Sequence, residues 1–228
     1  MSMTIQQICE HAAKSGDEMD LTGCDYGPHK RSNLYLGVQP YYHFLAGFVQ
    51  TLGCRTILEI GTSYGGSMMA MSRGCPADQP ETKLVTIDKV DIAGQQLLDL
   101  RHIQRVHGDS LAPATVREAG LHLTSPIDLL YIDSKHSYDH TKSNILLYGA
   151  AFCPRFVILD DIHLNAEMDA LWSEMSATYR NHAFDASDLA KRPGGFGVLE
   201  CGSPVPKQSA DPTDLARQAE SPSLPNVA

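Results

Sequence analysis

The sequence predicts an α/β fold, a doubly wound sheet of seven strands that is mostly parallel and ends with an antiparallel closing strand. Three observations carry that prediction. Five short apolar runs recur along the chain with helix-compatible sequence between them, the alternation expected of parallel strands covered by helices on both faces. The first run ends in a glycine-rich turn that leads straight into a helical segment. After the fifth come two further strand-like runs joined by KRPGG, which read as a closing antiparallel pair.

The elements follow in order. Residues 1–39 hold a short helical start and then GCDYGPHKRSNLYLGVQP, rich in turn formers and aromatics, and are read as a cap that helps recognise substrate. YYHFLAGFVQTLG supplies a helix before the first strand. The strands are TILEIG (56–61), KLVTID (83–88), QRVHGD (104–109), IDLLYID (127–133) and FVILDD (156–161). SMMAMSR, IAGQQLLDLRH, PATVREAG, SYDHTKSNILLYGAAF and AEMDALWSEMSATYR fill the intervals as helices, and HAFDAS (182–187) with GFGVLEC (195–201) forms the closing pair. One domain therefore spans 40–201. The tail 202–228 carries five prolines and few large apolar residues, so it is expected to be disordered.

Composition narrows the function classes. A chain of 228 residues, 43% hydrophobic, is long enough to bury a full core in one domain. Its net charge of −9 argues against a nucleic-acid surface, which needs a clustered positive field. No apolar run approaches the length of a membrane span, and the N-terminus lacks the layout of a signal peptide, so a cytoplasmic location is expected. The six cysteines are scattered without a CxxC pair, and reduced thiols are expected. A homo-oligomer is left open.

The turn after the first strand reads LEIGTSYGGS, Leu58 to Ser67. Glycines there let backbone N–H groups approach a ligand at the switch point of the sheet. A dinucleotide fingerprint would need a second glycine two residues after Gly61, and Ser63 stands there. No Gly-Lys-Ser/Thr follows, so a phosphate-binding Walker loop is excluded as well. The pattern Glu59-x-Gly61-x-x-x-Gly65-Gly66-Ser67 instead resembles the first motif of the class I S-adenosylmethionine-dependent methyltransferases, whose fold is Rossmann-like. That resemblance implies cofactor contacts from Glu59, Gly61, Thr62, Ser63, Tyr64, Gly65 and Ser67. It also implies that Asp88, at the end of the second strand, accepts hydrogen bonds from the ribose, and that Asp109 and Ser110 face the adenine. Read alone, the alternative for Asp88 is a solvated strand-end carboxylate, and for Asp109 a turn residue.

The fourth and fifth strands end in carboxylates. Asp133 stands at the edge of the fourth, with His136 three residues on, and FVILDDIH closes the fifth with Asp160 and Asp161 side by side. Two adjacent negative charges cost Coulomb energy unless a cation, a proton or solvent offsets it. Asp133, Asp160 and Asp161 are therefore read as ligands of Mg²⁺ or another divalent cation, the alternative being a wet loop that caps the next helix. The pattern resembles metal-dependent O-methyltransferases. Catechol and caffeoyl-CoA types carry an Asn after the strand-five Asp and a Lys three beyond the strand-four Asp. Asp161 and His136 at those places are closer to macrolide-sugar O-methyltransferases and cephalosporin-hydroxylase-like proteins, with Asp133-x-x-His136-x-Tyr138 as the shared form. Cys153-Pro154-Arg155 departs from the Pro-Gly-Gly turn usual before strand five.

The resemblance implies methyl transfer to a hydroxyl of a small molecule such as a sugar or diol, with Asp133 and His136 as catalytic residues. His136 would take the proton, with Lys135 the other candidate base. A hydroxylase-like enzyme and an accessory cofactor-binding protein of the same fold are the rival readings. Residues 1–39 and the 163–170 and 188–196 loops are expected to set the substrate.

Overall fold

The computed structural model describes residues 3–28, 34–76, 81–184 and 194–202. Residues 203–228, 185–187 of HAFDAS and 191–193 of KRPGG, on which parts of the sequence reading fall, lie outside the described residues.

Helix α1 (Ile5–Asp17) starts at a reciprocal capping box, in which the Thr4 side chain accepts from the Gln7 backbone and the Gln7 side chain accepts from the Thr4 backbone. Strands β1 (Gly27–Pro28) and β2 (Tyr35–Leu36) form a two-stranded antiparallel ladder. Helix α2 (Pro40–Leu52) opens on Pro40, whose missing N–H would be unpaired in any case, and stops at Gly53, which takes the left-handed conformation.

Then follow β3 (Thr56–Ile60), α3 (Gly66–Gly74), β4 (Lys83–Asp88), α4 (Gln95–Leu98), β5 (Ile103–His107), α5 (Pro113–His122), β6 (Leu129–Ile132), α6 (Tyr138–Phe152), β7 (Phe156–Asp160), α7 (Ala166–Thr178), β8 (Arg180–Phe184) and β9 (Phe196–Glu200). The seven-stranded sheet has the order β5-β4-β3-β6-β7-β9-β8. β9 runs antiparallel to both neighbours and the remaining pairings are parallel. The expected mostly parallel sheet with an antiparallel closing strand is therefore observed. Of the helices, IAGQQLLDLRH falls short, keeping a single turn over Gln95–Leu98. Leu97 alone is buried there, too little packing to offset helix nucleation.

Strand residues alternate between two apolar layers. Ile57, Leu84, Leu129 and Phe156 pack under α1, α2 and α3, while Leu58, Val85, Leu130 and Val157 pack under α5, α6 and α7. Helix α1 belongs to the core, with Cys9 and Ala12 fully buried. Its close crossing of α2 depends on two small residues: a Cβ at Gly47 would lie 2.0 Å from the Ala12 carbonyl, and one at Gly16 1.9 Å from that of His43. All six cysteines are free thiols, as expected.

Candidate active site

The strand order reverses between β3 and β6, and the C-terminal ends of the parallel strands open there into a cavity of about 540 Å³. Gly61, Thr62, Ser63, Tyr64, Gly65, Ser67, Asp88, Asp109, Ser110, Asp133, His136 and Asp161 all line it. Lys135 lines it as well.

Backbone geometry explains the glycines. Gly61 has φ 108°, and a Cβ there would lie 1.8 Å from the Asp133 carbonyl, so only glycine lets the loop press against the end of β6. Gly65 (φ 91°) caps α3 at its N-terminus, and Ser63 also holds a positive φ of 46°. The Ser63 N–H donates to Asp88 Oδ2 at 2.8 Å and the Val90 N–H to Oδ1 at 2.9 Å. Asp88 thus organises two loops while lining the cavity. Asp109 Oδ1 similarly accepts from the Leu111 N–H, while the Ser110 carbonyl accepts from the buried Tyr148 hydroxyl.

Glu59 is not among the lining residues. It is fully buried in β3, accepting from Ser67 Oγ and Thr86 Oγ1, each at 2.5 Å. Thr86 Oγ1 meets Thr62 Oγ1 at 2.6 Å, so one buried carboxyl braces two loop residues from below. Burial pushes this carboxyl up to about 8, against the two hydrogen bonds that favour its charged form.

The acidic end is built from β6 and β7. Asp160 ends β7 opposite Phe196 and is 1% exposed. Asp161 adopts φ 54°, a left-handed conformation that Asp tolerates. That turn interrupts strand alternation, so the neighbouring carboxylates approach one region. Ligand atoms of Asp133, His136 and Asp160 all lie within 4.8 Å of one another. Asp161 stands beside this set, with Oδ2 3.8 Å from His136 Nε2, while Asp133 Oδ1 is 3.6 Å from the same nitrogen. Tyr131 donates to Asp133 Oδ2 at 3.2 Å. The Asp133 and Asp160 carboxylates at this spacing fit a divalent cation, Asp161 adds a third carboxylate at its edge, and the His136 imidazole stands beside them.

Tyr26, Tyr42, Lys89 and His140 also line the cavity, and sequence reasoning did not single them out. Tyr26 precedes β1 and Tyr42 lies in α2, so no local pattern signals their approach to a loop after β3. His140 sits in the first turn of α6, its Nδ1 3.1 Å from the fully buried Asn144 amide, and burial lowers its pKa.

Residues 58–162, a little under half of the chain, match the family model described as a methyltransferase domain. No curated protein gives a significant match. Among solved structures, the chain is similar to an O-methyltransferase from Bacillus cereus in complex with S-adenosylhomocysteine, at 18% identity and a TM-score of 0.54, over 85% of this chain and 90% of that one. It is also similar to the O-methyltransferase TomG from Streptomyces achromogenes in complex with S-adenosylmethionine, at 17% identity and a TM-score of 0.54, over 89% and 91%. MycE methyltransferase in complex with Mg and S-adenosylhomocysteine matches at 14% identity and a TM-score of 0.52, over 79% of this chain and 55% of that one. These likenesses are of fold. With the family-model match, they bear out the methyltransferase resemblance of the motifs.

Proposed function

Taking residues 58–162 as a methyltransferase domain, we propose that the protein is an O-methyltransferase. It moves the methyl group of S-adenosylmethionine to a hydroxyl of a small molecule, such as a sugar or diol, with the help of a divalent cation. One observation carries the reading: Asp133 and His136, which cluster with the buried Asp160, line the same cavity as the glycine loop of Gly61–Ser67.

S-adenosylmethionine would supply an electrophilic methyl on its sulfonium, and the chain's own task is alignment and activation. The Gly61–Ser67 loop and Asp88 would hold the methionine and ribose ends, and Asp109 and Ser110 the adenine end. Asp133 and Asp160 would hold Mg²⁺ or another divalent cation, with Asp161 completing the negative field. A cation bound there would lower the pKa of a substrate hydroxyl and stabilise the developing alkoxide by several kcal/mol, roughly.

His136 Nε2 is buried and makes no hydrogen bond among the described residues, so it is available to accept the proton of that hydroxyl. Lys135 is exposed and is the weaker candidate base.

The test is incubation with labelled S-adenosylmethionine and a panel of sugars, diols and phenols, with and without EDTA. Label transfer to a hydroxyl, lost in EDTA and restored by Mg²⁺ or Mn²⁺, is the expected result. Binding of S-adenosylhomocysteine with undiminished turnover in EDTA would remove the cation from the mechanism. Calorimetry showing no binding of S-adenosylhomocysteine would remove the methyltransferase reading.

A further inference from the structure

His136 raises a question of placement. Its Nε2 lies 3.6 Å or more from both neighbouring carboxylates and no described hydrogen bond fixes the ring. The position of the imidazole therefore depends on the backbone of the short segment between β6 and α6. Three side-chain-to-backbone hydrogen bonds help to hold that segment. The Thr141 hydroxyl donates to the Lys135 carbonyl at 3.2 Å, Asn165 Nδ2 donates to the His136 carbonyl at 3.1 Å, and the Tyr138 N–H donates to Glu167 Oε2 at 3.0 Å. Two of the three anchors come from the start of α7. Ser137, which begins α6, makes no side-chain cap of its own, so Glu167 caps α6 from outside.

Asn165 also caps α7, its Oδ1 accepting from the Glu167 and Met168 N–H groups at 3.0 Å each. Asp and Ser cap a helix about as well as Asn. What Asn adds is an NH₂ donor on the same planar group as the capping oxygen, and here that donor reaches the His136 carbonyl. Both partners demand the same amide orientation, since backbone N–H groups face Oδ1 and a carbonyl faces Nδ2. One turn further on, Lys142, Tyr138 and Glu174 join α6 to α7, which stiffens the strut.

We propose that Asn165 is a positioning residue for catalysis, its amide locking the His136 backbone to the first turn of α7 so that the imidazole faces the substrate hydroxyl. The inference rests on the reading of His136 as the proton acceptor. It makes Asp160–Glu167 one functional stretch, with cation ligands at its start and the strut for the base at its end.

The test compares Asn165→Asp and Asn165→Ser in the full chain and in a His136→Ala background. Both variants keep a capping oxygen and lose the NH₂ group that reaches the His136 carbonyl, so the melting temperature should stay within about 2 °C of wild type. Turnover should fall about ten-fold, with KM for S-adenosylmethionine unchanged, since a small misplacement of a catalytic group slows the chemical step. In the His136→Ala background neither variant should slow turnover further, because the effect passes through His136. Wild-type turnover in the Asn165 variants, or the same ten-fold loss without His136, would overturn the proposal while leaving the role of His136 intact. Undiminished turnover of His136→Ala alone would overturn the underlying reading of His136, and the strut with it. If Asn165→Ser melts early, Asn165→Asp decides, since a carboxylate at the N-cap also gains from the helix dipole.

Discussion

Replacing Glu59 by Gln should make the protein more stable at alkaline pH and cost it about 1 kcal/mol at acid pH. Glu59 is fully buried between Ser67 and Thr86, and burial raises its pKa from 4.5 to about 8, with Asp133 and Asp88 pushing the same way. Between those values the folded protein keeps a proton that the unfolded chain has released. Stability therefore falls as pH rises through that window, by about 1.4 kcal/mol per unit where the difference is complete. Below pH 4.5 both states are protonated and the group adds no slope.

Protonated Glu59 can donate through Oε2 to Thr86, which in turn donates to Thr62, so the same three oxygens stay paired with the direction reversed. Gln supplies the same donor and acceptor without titrating. Allowing about 1 kcal/mol for a less apt hydrogen bond, the variant should gain roughly 3 kcal/mol over wild type at pH 8. Urea unfolding of both proteins at pH 5, 6.5 and 8 measures this, because other titrating groups cancel in the difference. Parallel stability curves would show that Glu59 has the same pKa folded and unfolded. A variant that loses ground to wild type as pH rises would show that the carboxylate is held charged, and the account of the brace would be wrong.

Three further outcomes follow from the site. Gly61→Ala should cost about 3 kcal/mol or more, since the new methyl meets the Asp133 carbonyl at 1.8 Å in a left-handed backbone; a thermal melt matching wild type would refute that contact. Asp88→Ala should weaken S-adenosylhomocysteine binding about 10- to 100-fold in calorimetry, because the Ser63 and Val90 amides lose their acceptor and, on the proposed reading, the ribose would lose its own; unchanged affinity would reduce Asp88 to a strand-end charge. Asp160→Asn should lower affinity for Mn²⁺ about ten-fold or more in an equilibrium titration while leaving S-adenosylhomocysteine affinity alone, since the amide keeps an oxygen and loses the charge. Loss of stability without loss of Mn²⁺ affinity would return Asp160 to a purely structural place.

The chain's local patterns were enough to determine the strands, the order of elements and most of the cavity wall. Apolar runs of strand length, broken by helix-compatible stretches, mark a parallel sheet because burial on both faces leaves no room for polar alternation. Once that order is known, the ends of the strands must face one crevice, so Gly61, Asp88, Asp109 and Asp133 were legible before any coordinates. IAGQQLLDLRH forms a shorter helix than its sequence predicts because a helix of that composition forms only where packing supports it, and within Gln95–Leu98 Leu97 alone is buried.

Tertiary structure decided what local patterns leave open. It set Glu59 beneath the loop rather than in the cavity wall, and brought Tyr26 and Tyr42 to a cavity that their own segments do not announce. It also set His136 within 4.8 Å of Asp133 and Asp160, with Asp161 at the side in a left-handed conformation that no spacing rule foretells. The strut from Asn165 to His136 spans 29 positions and joins the ends of two different helices. Such contacts exist only after the sheet has ordered β6 beside β7, because the donor and the carbonyl it serves have no reason to meet in either segment alone.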